Sequence, residues 1–173
     1  MLYQWFVNRH MNVVESEYSG MTVPSGKKHA NGLKIEDLTR LSFSDNQFDF
    51  VLSFDIFEHI PDFLKAFQEC FRILRPNGRL FFTVPFDVNS EKNIVRAVVK
   101  GNNEIEHLLP PEYHGNTISS DICLSFYCFG WEMLDQLRGA GFANVDAHLY
   151  WSQRFGYLGG DQAVFVAVKS SST

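Results

Sequence analysis

Hydrophobic residues along this chain fall into short runs broken by turn-forming clusters. Leu2–His10 carries apolar or aromatic side chains at positions 2, 3, 5, 6 and 7, the pattern of a helix end. Asn12–Glu17 is a short β-branched run, and the segment from Tyr18 to Gly32 is rich in turn residues. Leu33–Leu38 alternates apolar and polar positions as a half-buried strand does, whereas Phe48–Phe54 is almost wholly apolar and fits a strand covered on both faces. The clearest helix opens at Pro61 and Asp62 and repeats Phe63, Leu64, Phe67, Phe71 and Leu74 at helical spacing. It closes with Arg72 and Arg75 and stops at Pro76-Asn77-Gly78. Arg79–Phe86 is a second apolar strand, so strand, helix and strand make a βαβ crossover and require a parallel pair. Phe129–Ala140 reads as a second amphipathic helix, ended by Gly141. Asn144–Trp151 and Asp161–Lys169 read as strands joined by the glycine-rich Phe155–Gly160; with no helix between them they pair antiparallel. The expected class is α/β, with a mostly parallel sheet ending in an antiparallel hairpin.

Composition narrows the picture without changing it. The chain has 173 residues, 45% hydrophobic and 20% charged, the balance of one globular domain over residues 1–169 with a frayed tail at 170–173. Asp87–Ser125 is irregular and reads as an insertion holding a hairpin or a short helix. The longest apolar runs fall far short of the roughly 20 residues of a membrane span. A net charge of −5 argues against a nucleic-acid backbone as partner. Three cysteines without a CxxC pair, and an N-terminus without a signal-peptide pattern, suit reduced thiols in the cytoplasm. Seventeen phenylalanines call for an aromatic core or an apolar pocket.

Ligands of open α/β sheets sit at the carboxyl ends of the strands. Glu17, Asp37 and Asp55 end three successive strands. A carboxylate there can accept two hydroxyl hydrogen bonds from a ribose or one from an exocyclic amine, or it can simply cap a loop. The run Glu36–Phe86 resembles the middle of a class I S-adenosylmethionine-dependent methyltransferase. The likeness lies in Leu41-Ser42-Phe43, in Phe48–Ser53 as "FDxVxS", in the pair Glu58-His59, and in Leu74–Leu80 as "LRPGGRL" with Asn77 in place of a glycine. It extends over about Asn12–Lys169 and implies a Rossmann-like methyltransferase sheet with S-adenosyl-L-methionine as cofactor. Carried over, it implies that Glu17 binds the ribose hydroxyls and Asp37 the adenine amine. It also implies that Leu38 offers its backbone N–H to the ring, and that Ser53, Phe54 and Asp55 line the methyl-donating end. The family places a central strand and a glycine-rich turn before the ribose acid. The residues before Glu17 contain no glycine, so the sheet is expected to be N-terminally incomplete, and a homodimer is one way to cover the strand edges left open.

His59 is the candidate base, since imidazole titrates near neutrality and the resemblance places it by the acceptor opening; a capping or core-facing histidine is the plainer reading. The insertion is expected to act as a lid over a small-molecule acceptor, with His107, Tyr113 and His114 as substrate contacts. His107 and His114 with Glu106 or Glu112 offer metal ligands, but their spacing fits no established motif, and no metal is expected. The reaction class implied is methyl transfer to a small-molecule or glycan- or lipid-precursor acceptor. The competing reading is an inactive binding or assembly module on the same fold. A nucleotide-binding oxidoreductase is disfavoured by the terminal hairpin and the missing GxGxxG.

Overall fold

The computed structural model describes residues 2–9, 11–18, 23–30, 32–115 and 122–171. The chain divides into two compact units, residues 1–44 and 45–173.

The first unit holds helix α1 (Leu2–Val7) and the parallel pair β1 (Ser16–Glu17) and β2 (Lys34–Ile35), in register Ser16↔Lys34 and Glu17↔Ile35. Both strands are shorter than their hydrophobic runs. The preceding loop turns back onto β2, Gly26 N–H donating to the Ile35 carbonyl and Ile35 N–H to the Lys27 carbonyl. Beyond Ile35, the Asp37 carboxylate accepts from Thr39 N–H at 2.8 Å and Thr39 Oγ1 at 2.7 Å, a side-chain turn that ends the extended run.

The second unit contains β3 (Phe48–Phe54), a 3-10 turn (Phe57–His59), α2 (Phe63–Ile73), β4 (Leu74–Thr83), β5 (Ile94–Val95), β6 (Ala97–Val99) and β7 (Ile105–His107). It continues through β8 (Tyr113–Gly115), β9 (Ile122–Leu124), β10 (Tyr127–Cys128), α3 (Glu132–Gly139), β11 (Phe142–Ser152) and β12 (Tyr157–Lys169). Four strands form one sheet in the order β11-β12-β4-β3. β3 and β4 run parallel, as the crossover requires, and β4, β12 and β11 run antiparallel, as the terminal hairpin requires.

Helix α2 forms because Asp62 caps it, accepting from Lys65 N–H, and because Phe63, Ala66, Phe67, Cys70 and Ile73 recur on one buried face. That face covers the sheet residues Leu80 and Phe82 of β4, and Phe165 and Ala167 belong to the same core, all fully buried. Phenylalanines knit it together edge to face: Phe57 lies 4.8 Å from Phe67 and 5.3 Å from Phe82, and Phe63 lies 5.1 Å from Phe129. Pro76-Asn77-Gly78 does not stand between helix and strand. It is a bulge inside β4, where pairing passes from Phe48↔Leu74 to Phe50↔Arg79 and Asn77 takes φ 64°. The turn after α3 needs a glycine: Gly141 has φ 115°, and a Cβ there would meet the Phe71 ring at 2.8 Å.

The insertion carries no helix among its described residues. It is built of the short antiparallel pairs β6–β7 and β8–β9, and its strand β5 pairs with β10 just beyond it. Of the tail, Ser170 and Ser171 have no regular structure, and residues 172–173 lie outside the described residues, as do 116–121 of the insertion.

Candidate active site

In the first unit the expected acids stand at the ends of adjacent parallel strands. Glu17 ends β1, and its carbonyl accepts from Glu36 N–H at 2.9 Å. Its carboxylate lies 2.8 Å from His29 Nε2. Asp37, two residues beyond β2, keeps its backbone N–H on Ser25 Oγ and one carboxylate oxygen on Thr39. Leu38 follows it and is half-buried. Glu36, between the two, is buried and fully engaged: Lys34 Nζ at 2.8 Å, Ser42 N–H at 2.8 Å and Ser42 Oγ at 2.5 Å all reach its carboxylate. Burial raises its pKa, but the bonds from Lys34 and Ser42 together outweigh that and hold it below the ordinary carboxylate range.

In the second unit the end of β3 presents Ser53, Phe54 and Asp55. Ser53 is buried and its hydroxyl has no hydrogen-bond partner, while Phe54 is exposed. Asp55 sits at φ 53°, a conformation few non-glycine residues adopt. It is held there from β4: its N–H donates to the Thr83 carbonyl at 3.0 Å, and Thr83 Oγ1 donates to its carboxylate at 2.9 Å.

The 3-10 turn then delivers Glu58 and His59 against the insertion. Phe126 N–H donates to the Glu58 carbonyl at 2.7 Å and Ser125 N–H to the Glu112 carbonyl at 2.8 Å, which fixes the β8–β9 hairpin beside the turn. His114, on β8, thereby meets His59, with ring centroids 5.3 Å apart. Glu58 is fully buried between them, and neither carboxylate oxygen accepts a hydrogen bond. Its Oε1 stands 3.6 Å from both His59 Nε2 and His114 Nδ1, beyond hydrogen-bond length. Burial pushes its carboxyl up to about 7, the Asp55 charge adding to this and its own backbone amide and His114 opposing it. Burial also lowers the His59 imidazole, against the pull of its bond to Leu124. His59 Nδ1 lies 2.8 Å from the Leu124 carbonyl; a carbonyl only accepts, so Nδ1 carries the proton and Nε2 holds the free pair.

Of the expected substrate contacts, the structure brings only His114 to His59. His107, on β7, and Tyr113, whose neighbour His114 turns inward, are exposed. Glu58 had been legible only as half of the Glu58-His59 pair; its complete burial before a histidine is the feature that distinguishes it.

Residues 1–82 match the family model of a methyltransferase domain. Among curated relatives, the chain is 32% identical over 99 residues to a ubiquinone biosynthesis O-methyltransferase of Actinobacillus pleuropneumoniae, covering 51% of this chain and 41% of that one. It is 40% identical over 50 residues to phosphoethanolamine N-methyltransferase 2 of Caenorhabditis elegans, covering 29% of this chain and 11% of that one. The chain thus spans less than half the length of either relative. A solved S-adenosylmethionine-dependent methyltransferase from Mesorhizobium loti aligns over 96% of this chain and 85% of its own, with TM-score 0.56 and 13% identity, and so shares its fold.

Proposed function

We propose that this chain, which belongs to the Rossmann-like methyltransferases, binds S-adenosyl-L-methionine and transfers its methyl group to a small-molecule or glycan- or lipid-precursor acceptor. The observation that carries the reading is the family match over residues 1–82, because that span holds all three strand-end acids and the pair Glu58-His59. Methyl transfer from a sulfonium is an in-line displacement, so alignment supplies most of the rate. Glu17 and Asp37 are the proposed contacts for the ribose hydroxyls and the adenine amine, Leu38 N–H for the ring, and Ser53, Phe54 and Asp55 for the methionine end. The strained, doubly tethered backbone at Asp55 suits a residue that must hold one position.

In the reaction the methyl carbon bonds to the acceptor oxygen or nitrogen and the sulfur keeps the electron pair of the broken bond. The acceptor's proton passes to His59 Nε2, the nitrogen whose pair is free because Nδ1 is tied to Leu124. His114 is the proposed acceptor contact beside it, with His107 and Tyr113 further out on the insertion. An oxygen acceptor is favoured by the O-methyltransferases among the relatives. The reading includes a cytoplasmic protein that does not act on nucleic acid and pairs with a second copy along its open strand edges. Among the described residues no helix is long and apolar enough to cross a membrane.

Thermal unfolding with S-adenosylmethionine or S-adenosylhomocysteine tests the reading. Ligand at a hundred times its dissociation constant adds about 2.7 kcal/mol, a readily measured rise in melting temperature. Asp37→Ala is expected to lose most of that rise. An intact chain that responds to neither ligand would overturn the proposal.

A further inference from the structure

We propose that Glu58, His59 and His114 form a binding site for a divalent first-row transition-metal ion of the zinc class. One ligand atom from each residue lies within 4.8 Å of the others. The stronger argument is which electron pairs face inward. His59 Nδ1 donates its proton outward to the Leu124 carbonyl at 2.8 Å, so Nε2 turns a lone pair toward Glu58. His114 repeats the arrangement with its nitrogens exchanged. Nε2 lies 3.3 Å from Glu112 Oε1, a solvent-facing carboxylate that only accepts, so Nε2 holds a proton there and Nδ1, 3.6 Å from Glu58 Oε1, is the nitrogen whose pair an ion would take in exchange for a proton. Glu58 contributes a carboxylate that is fully buried and accepts no hydrogen bond at either oxygen. Three potential ligand atoms converge, and a cation among them would supply the partner that the buried Glu58 carboxylate lacks.

The distances agree. Donors bound to one ion at zinc–nitrogen or zinc–oxygen lengths stand roughly 3 to 3.5 Å apart, depending on the angle between them. Glu58 Oε1 stands 3.6 Å from each imidazole nitrogen, too far for a hydrogen bond and close to the spacing of two ligands sharing an ion. The outer partners are those a metal site needs. A backbone carbonyl orients one imidazole and a carboxylate the other, and Arg96 holds that carboxylate from the far side at 3.1 Å. Two imidazoles and one carboxylate favour zinc-like ions over magnesium, and leave coordination positions open.

The site goes beyond the methyl-transfer reading and does not depend on it. The ion draws on the same His59 Nε2 pair as the base role, so its test is binding alone, with neither cofactor nor acceptor present. Zn²⁺ affinity is measured by competition with a chromophoric chelator, on the full chain after removal of bound metal. One equivalent is expected to bind. Glu58→Gln and His114→Ala are each expected to weaken binding at least tenfold, and His148→Ala, on β11, to leave it unchanged. Because the two inner variants alter buried or half-buried positions, Glu112→Gln supplies a solvent-facing check. It removes the charge that orients His114, together with a half-exposed ion pair to Arg96, and is expected to weaken binding by a smaller factor, with at most a small shift of the urea unfolding curve. Binding that survives both Glu58→Gln and His114→Ala, or Mg²⁺ bound as tightly as Zn²⁺, would overturn the assignment.

Discussion

Two buried glutamates, one in each unit, have opposite surroundings. Glu36 is 4% exposed and Glu58 is 0% exposed, so each has lost nearly all its water. Glu36 recovers what it lost from close neighbours in sequence: a lysine two residues back and a serine six residues on, whose backbone and hydroxyl both donate. Glu58 recovers nothing of the kind. Its nearest polar neighbours are two imidazoles 3.6 Å away, beyond hydrogen-bond length, one of them carried by a distant hairpin. A buried carboxylate with a full set of donors stabilises a fold, whereas one without donors costs stability and persists where a ligand, a proton or an ion completes it. The contrast separates an acid whose partners are built into the fold from one whose partner the proposed ion would supply.

The largest expected effect lies in catalysis. His59→Ala in metal-free protein is expected to lower methyl transfer about 10²- to 10⁴-fold, the usual contribution of a positioned base, while the melting-temperature response to S-adenosylmethionine persists. Glu36→Gln is expected to leave the rate per folded molecule unchanged. Steady-state rates with a fixed acceptor read both. If Glu36→Gln slowed turnover as severely as His59→Ala, the division between the two acids would fail.

Next in size is stability, where one and the same substitution should act oppositely at the two sites. Glu36→Gln replaces a carboxylate holding charge-assisted bonds with a neutral amide, at a cost of about 2 kcal/mol. For a chain of this length that is a fall of roughly 4–8 °C in melting temperature. Glu58→Gln removes a buried charge that no donor meets, so the metal-free protein is expected to be no less stable than the parent at pH 8. Urea unfolding of the three proteins decides it, and an equal loss at both sites would mean that Glu58 has donors after all.

How much of this the sequence foretold follows from distance along the chain. Helix α2 was legible because its cap and its buried stripe lie within a dozen residues of one another. The parallel β3–β4 pair and the β11–β12 hairpin were legible because connection length dictates strand direction. The early start of β4 was not, since Pro76-Asn77-Gly78 reads as a turn in any local window and becomes a bulge only when β3 pairs on both sides of it. Nor was the true end of α2. The Phe71 carbonyl in its last turn and that of Leu74, its C-cap, are met at 2.9 and 2.8 Å by Lys169 Nζ from the far end of the chain. The insertion is made of strands two or three residues long, too short to show a period, so nothing local paired His114 with His59 or disclosed that Glu58 lies between them.

The smallest expected effect sharpens the comparison through pH. The Lys34 and Ser42 bonds hold the folded-state pKa of Glu36 below its ordinary value of 4.5. A depressed carboxyl contributes stability that is fully present above its unfolded-state value and is lost as pH falls through its folded-state value. The stability gap between the parent and Glu36→Gln should therefore stay constant from neutrality to about pH 5, then narrow as the solution is made more acidic. Carboxylates common to both proteins titrate alike and cancel in the difference, so the gap isolates this one group. Urea unfolding at intervals from pH 7 to pH 3 measures it. A gap that instead widened as the solution was acidified from pH 7 to pH 5 would place Glu36 among acids whose charge burial opposes, alongside Glu58, and the distinction between the two would be lost.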